Sequence, residues 1–567
     1  MDSGKTANWK LPGESGSRRI ERVALAAAVA TLVLAPAVLT AQPVAVEGWK
    51  EVRTSSFVLR SNTSAERSAE IARTLEIFRA AFSGLAPEME MISPVPTRIL
   101  AFRDEASFAP FKSGYEGGGG RILGQFLSHS DGNYMTLNAD PRLLGGFGVV
   151  LHEYVHYLVA HNFPGVPRWF NEGLAEYYST FTVESGYAVV GRPVERHLEW
   201  LRRNRRLDLA EILEARETGA GHAEVEAGHF YAVSWGLVHY LLSSGSPMAG
   251  RLASFLASAT DPAPASRFEE IFELRLEDLE QELRSYLLSG QPPAASLPLA
   301  DFAAAGHVDV VAASPAAVLD DLGGLRVRLG DERSAGRLYD LALAHDPDDA
   351  DAYAGLAHVR DLEQRLDEAD VLFAEALARG PRDPRSYLLY GRHLLVRLEE
   401  ARRAGETAAA GRLAVAVRDA FQVALELAPN FAEASALAGY AHLFGNLEPR
   451  DGVPYLERAL ELLPRRVDLY FQLMQLEARS DGLGRARALA DGPIRQFGGE
   501  EWGMRADEEI DRLVFLQQAD KALRAGRIEQ GMEFLERAIA ITSDPDLRHR
   551  LEDNLERLEE RLEERGA

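Results

Sequence analysis

The sequence predicts an α+β lobe followed by an all-helical repeat array. Three observations carry this. Short alternating segments and amphipathic segments are interleaved up to about residue 290. A stretch rich in proline and alanine follows, Gln291-Pro292-Pro293-Ala294-Ala295-Ser296-Leu297-Pro298. Beyond it, an alanine five residues ahead of a proline recurs at nearly constant spacing.

The chain opens with basic residues, Arg18, Arg19 and Arg22, before a largely apolar run from Val23 to Leu39. Thr40-Ala41-Gln42-Pro43 gives a small-residue exit. This layout predicts a secretory signal over residues 1–41. The run is nearly long enough to span a bilayer, so an uncleaved anchor through residues 23–39 is the other reading. Either places the protein outside the cytoplasm: periplasmic or secreted, or held at the membrane. The chain has no cysteine, which excludes disulfides, thiolate metal sites and cysteine catalysis.

Net charge is −24 over 567 residues. Residues 1–41 hold five basic and three acidic side chains, so the remainder stands at −26. Such a surface repels nucleic acid, and no nucleic-acid partner is expected.

Within the first lobe, residues 49–60 alternate like a strand and 63–84 read as an amphipathic helix. Thr97–Phe102 reads as a second strand, with a helix from Asp104 to near Lys112. Gly117 to Gly120 marks a loop. An Asp131-Gly132 turn then leads into an alternating segment, Asn133–Asn138. Helices are expected over 195–205, 207–215, 235–242, 252–256 and 267–288.

The richest stretch is His152-Glu153-Tyr154-Val155-His156, entered through the apolar run Phe147-Gly148-Val149-Val150-Leu151. On a helix, positions i and i+4 lie one turn apart on one face. Two imidazoles so placed can grip one metal ion, and Glu153 can reach a metal-bound water. A third ligand is offered by Trp169-Phe170-Asn171-Glu172-Gly173-Leu174-Ala175-Glu176-Tyr177. Nitrogen and oxygen ligands favour zinc, one ion per chain.

These two segments resemble the gluzincin metallopeptidases, and most of all the peptidase MA-like domain. The resemblance covers residues 49–290, with its specific motifs inside 147–180. It implies a thermolysin-like α+β metallopeptidase fold. It also implies zinc held by His152, His156 and Glu172, with Glu153 as general base. Fifteen residues separate His156 from Glu172, fewer than in thermolysin, so the connecting loop is shorter. Glu176, one turn past Glu172, is placed to accept the second N–H of a ligand histidine. In the aminopeptidase relatives a tyrosine some sixty residues past the glutamate ligand steadies the oxyanion. Tyr231, 59 residues past Glu172, fits that role, with Tyr240 as the other candidate. Gluzincins also line the cleft with an edge strand that pairs with extended peptide. Asn133–Asn138 is the expected strand, with Asn133, Tyr134, Met135 and Thr136 against substrate. The amine-anchoring G-x-M-E-N segment of the aminopeptidases is absent, which favours endopeptidase or processing activity.

Past the linker at 291–315, Pro347, Pro381, Pro429 and Pro464 close successive units. Their spacings are 34, 48 and 35; the 48 is a 34 with a 14-residue insertion near Arg397–Ala410. Gly355, Gly391 and Gly439 mark the close-packed middle of each first helix. The pattern resembles the tetratricopeptide repeat, and residues 316–567 are expected to form an all-α solenoid with a charged capping helix from Leu551 to Arg565. Such a solenoid offers a groove for a protein partner or substrate.

Two functions follow from the sequence. The first is an exported zinc metallopeptidase acting on peptide or protein, with repeats that recruit substrate or partner. The second is a catalytically idle peptidase fold serving as a tetratricopeptide-repeat scaffold. Under the first, loss of residues 299–567 is expected to spare cleavage of short peptides.

Overall fold

The computed structural model describes residues 45–54, 56–84, 93–112, 123–142, 146–162, 166–204, 206–215, 224–243, 250–252, 254–255, 265–288, 292–300, 302, 308–444, 447–480 and 482–566. The predicted signal or anchor and the Gly117–Gly120 loop lie outside these residues. Among the described residues, no helix is long and apolar enough to cross a membrane.

The first strand-like segment is two strands, β1 (Lys50–Arg53) and β2 (Val58–Ser61), paired antiparallel. The chain reverses between them, where Thr54 Oγ1 accepts the backbone N–H groups of Ser56 and Phe57. Helix α1 (Ala65–Ser83) starts where Ser64 accepts the N–H of Arg67, as an N-cap should. Strand β3 (Thr97–Phe102) has its predicted bounds, and Asp104 caps the short helix α2 (Glu105–Phe108). Then come β4 (Gly124–Leu127), β5 (Asn133–Asn138), α3 (Gly146–Asn162) and α4 (Arg168–Tyr178).

A hairpin of β6 (Thr182–Glu184) and β7 (Tyr187–Val190) follows. Helices α5 (Glu195–Arg203), α6 (Leu209–Glu214) and α7 (Glu224–Ser243) come next. The predicted 267–288 helix is two, α8 (Ala265–Phe272) and α9 (Leu276–Leu288). The chain breaks between them at Glu273, whose φ is +51°.

Six strands form one sheet in the order β4-β5-β3-β2-β1-β9, where β9 is Asp309–Ala312. Strand β8 (Ala295–Pro298) adds to the β6–β7 hairpin. The segment predicted as a linker therefore carries two paired strands. Its proline and alanine content signals a break in helix, and backbone pairing with β1 and β7 gives it structure.

Strand alternation divides the large sheet into two packed faces. Val52, Leu59, Ile99, Ala101, Met135 and Leu137 join the core that holds α1, α3, α4 and α7. Leu100, Phe102 and Tyr134 turn the other way, into a second core with Leu319, Leu322, Leu325 and Tyr339. The sheet is thus sandwiched between the helices of the lobe and the first helix pair of the solenoid.

The solenoid consists of antiparallel helix pairs: Pro315–Arg328 with Glu332–His345, Ala350–Leu362 with Leu366–Arg379, Pro384–Arg403 with Thr407–Leu427, and Ala432–Ala441 with Pro449–Leu462. The 14-residue insertion lengthens both helices of the third pair, to 20 and 21 residues. Gly391 in that pair faces the Phe421 ring, where an added Cβ would lie 2.4 Å from it. Further helices end in a charged helix, Pro545–Gly566.

Candidate metal centre

Helix α3 buries Val150, Leu151, Val155 and Leu158 in the lobe core, which turns His152 and His156 to its partly open side. Helix α4 buries Trp169, Phe170, Leu174 and Ala175. It lies so close to α7 that a Cβ on Gly173 would stand 2.3 Å from the Ser234 carbonyl oxygen. The glycine after Glu172 is therefore a packing requirement. It sets the depth at which Glu172 meets the histidines.

Three ligand atoms, one each from His152, His156 and Glu172, all lie within 4.8 Å of one another. The two histidine Nε2 atoms are 3.1 Å apart. Glu172 Oε2 is 3.3 Å from His156 Nε2 and 3.7 Å from His152 Nε2. That oxygen is buried and has no hydrogen-bond partner. Two facing imidazole nitrogens and an orphaned carboxylate oxygen suit one shared cation better than they suit each other. The donor set fits zinc.

Electrostatics separates the two rings. Burial, and then the charge of His156, holds the His152 pKa below its ordinary value. Burial also pulls on His156, but the Glu172 carboxylate beside it outweighs this and raises its pKa. His156 Nδ1–H donates to Asn171 Oδ1 at 3.0 Å, which leaves Nε2 aimed at the shared point. The sequence reading misses Asn171. Its only signal is its place before Glu172.

Glu153 is exposed, and its charge acts on His152, His156 and Tyr231. Tyr231 is half-buried on α7. Burial, and then the charge of Glu172, raises its pKa, while Arg168 opposes them. Arg168, also unforeseen, opens α4 and stacks over the Phe230 ring at 4.4 Å. Tyr240 is elsewhere: its hydroxyl donates to Glu282 at 2.7 Å.

Two expectations need correction. Glu176 receives Arg196 Nη2 on both oxygens at 2.7 Å and lies 3.2 Å from His197 Nε2. It acts on His152 through charge, while its close contacts are with Arg196 and His197, whose side chains reach it from the first turn of α5. Burial would raise its pKa, but His197 and Arg196 hold it down at about 2.

The second correction concerns Asn133, Tyr134, Met135 and Thr136. Strand β5 has the predicted bounds but is interior, paired with β3 on one side and β4 on the other. All six of its residues are buried, so none can pair with substrate backbone. The outermost strand on that side is β4, because the chain folds back through the His129–Gly132 turn to cover β5.

The fold and site define a two-part protein: a lobe with a histidine, histidine and glutamate cluster, joined to tetratricopeptide repeats. Residues 327–392 match the family model described as tetratricopeptide repeat. Among solved structures, the chain is similar to YrrB, a TPR protein with an unusual peptide-binding site, at 19% identity. That match covers 38% of this chain and 97% of the other, with a TM-score of 0.27. It is also similar to Pseudomonas aeruginosa pilF, at 20% identity over 42% of this chain and 97% of the other, with a TM-score of 0.27. A third is TTC0263, a thermophilic TPR protein of Thermus thermophilus, at 19% identity over 34% of this chain and 98% of the other, TM-score 0.26. No curated protein matches the chain.

Proposed function

We propose that this chain is an exported zinc-dependent metallopeptidase of the gluzincin kind, with His152, His156 and Glu172 as ligands. The observation that carries the reading is the convergence of those three ligand atoms within 4.8 Å around an oxygen with no hydrogen-bond donor. A zinc ion held there supplies Lewis acidity toward a water and a peptide carbonyl.

The residues then divide the work. Glu153, exposed beside His152, takes a proton from the attacking water and passes it to the leaving amine. The Tyr231 hydroxyl donates to the oxyanion of the tetrahedral intermediate. Asn171 fixes the His156 tautomer. Extended substrate pairs with β4, the outermost strand, rather than with β5. Export rests on the signal-like layout of residues 1–41.

The repeats supply contacts to protein, the general use of such surfaces. The match of residues 327–392 to the repeat family supports a second reading, an idle peptidase fold serving as a scaffold. Metal content by mass spectrometry, on the purified chain and a His156→Ala variant, separates the two. About one zinc per chain, lost in the variant, supports the peptidase. No metal in either, after zinc is supplied, leaves the scaffold.

A further inference from the structure

The turn between β4 and β5 meets the solenoid through its buried tip. Asp131, at its tip, is 1% exposed. Its carboxylate accepts Arg328 Nη2, Arg385 Nε at 3.2 Å, and His129 Nδ1 at 2.6 Å. The neighbouring Ser130 hydroxyl accepts Arg392 Nη2 at 2.8 Å. Arg328 ends the first solenoid helix, and Arg385 and Arg392 lie on the first helix of the third pair.

Further contacts extend this surface. The Ala432 N–H, at the start of the fourth pair, donates to the Pro94 carbonyl at 2.8 Å. Arg98 on β3 pairs with Asp321 at 2.9 Å and with Asp383. Every one of these solenoid residues belongs to, or caps, the first helix of its pair. The face that a free solenoid would offer to a partner is occupied here by the lobe.

Arg328, Arg385 and Arg392 stand close enough to repel one another. Arg385 is 4% exposed, and its Nη2 has no hydrogen-bond acceptor. Clustered buried guanidinium groups are costly unless a carboxylate lies among them. Asp131 is that carboxylate for Arg328 and Arg385, while Arg392 pairs with Glu433 at 3.1 Å and reaches the turn through Ser130.

From the turn, two paths reach the helix that carries the histidines. Phe126 on β4 packs on Tyr154 and Tyr157 of α3, with ring centroids 5.7 and 5.3 Å apart. The Tyr157 hydroxyl lies 3.1 Å from Ser93 Oγ, one residue from Pro94.

We propose that the inner face of the first three repeats is a receptor for the chain's own β4–β5 turn, with Asp131 as anchor, and that this docking positions β4 beside the histidine-bearing helix. Asp131 is then a positioning residue. The first half of the groove belongs to the chain itself. That β4 borders a substrate cleft rests on the peptidase reading; the docking does not.

The test is hydrogen exchange on the full chain, for wild type, Asp131→Ala and the milder Arg392→Gln. Amides of β4 and β5 are expected to exchange about tenfold faster in Asp131→Ala and about threefold faster in Arg392→Gln, with residues 449–541 unchanged. Unchanged β4 exchange in Arg392→Gln and in a folded Asp131→Ala, or equal acceleration along the whole chain, overturns the proposal. If Asp131→Ala does not fold, the Arg392→Gln result decides alone. Asp131→Glu should recover most of the protection; no recovery overturns the anchoring role. On a cleaved peptide both variants should raise KM more than they lower kcat. A wild type that binds no zinc defeats the peptidase reading and leaves the exchange result standing.

Discussion

Nδ1 of His156 lies 3.0 Å from Oδ1 of Asn171, the residue next to the third candidate ligand. One short stretch of α4 therefore both offers one candidate ligand and aims another. Asn171→Ala should weaken zinc binding about 10- to 100-fold, the usual effect of losing such a partner. A competition titration against a chelating dye measures this. Equal affinity in the variant and wild type would show that the ring is aimed by its packing alone.

Proton transfer and metal holding are assigned to different groups, so they should separate. Glu153→Gln is expected to keep one zinc per chain and lose peptide hydrolysis. Tyr231→Phe should keep zinc and lower kcat about 100- to 1000-fold, the scale seen when an oxyanion donor is removed. Full activity in Glu153→Gln would defeat the assigned mechanism.

Gly173→Ala should cost about 1–3 kcal/mol, because its methyl group meets both the Ser234 carbonyl and Val238 Cγ2, the latter at 2.7 Å. Thermal unfolding should show a melting temperature several degrees lower. An unchanged value would mean that α4 and α7 can part without cost.

Truncation before residue 299, which on sequence grounds should leave a working lobe, removes β9, the partner of β1. It also uncovers Trp49, Leu100, Phe102 and Tyr134. The shortened chain should lose cooperative unfolding, followed by circular dichroism. A sharp transition in it would show that the lobe folds without its second core.

His393 offers a pH test in the repeats. Its side chain is fully buried between Asp361 and Asp370, each 2.7 Å away, and Arg397 also pairs with Asp370. Burial pulls its pKa down, but the hydrogen bonds to the two carboxylates outweigh this and raise it. A raised folded pKa gives stability that is complete below about 6.5, the unfolded value, and is lost as pH rises through the folded value. The melting-temperature gap between wild type and His393→Gln should therefore be wider at pH 6 than at pH 9. A gap independent of pH would remove the charge from the explanation.

Much of the site is legible in the sequence because it is local. The i, i+4 spacing of His152 and His156 needs only a helix, and apolar neighbours specify which side of it is buried. Glu172 is found by resemblance, and the structure brings it to the same point. Asn171 and Arg168 are not found, since their roles depend on how α4 lies against α3 and α7. Glu176 has the right spacing for a histidine partner, yet α5 supplies Arg196 and His197 to it instead.

By itself, the sequence determined the helix of His152 and His156, the bounds of β3 and β5, and the recurrence of the repeats. Each follows from periodicity within one segment or from a motif repeated along the chain. Only the tertiary structure decided that β5 is interior, that residues 295–298 and 309–312 are paired strands, and that the first repeats close over the lobe. Those outcomes depend on which distant backbone edge or buried charge is available to pair. Asp131 and Arg385, 254 residues apart, meet only when the whole chain has folded.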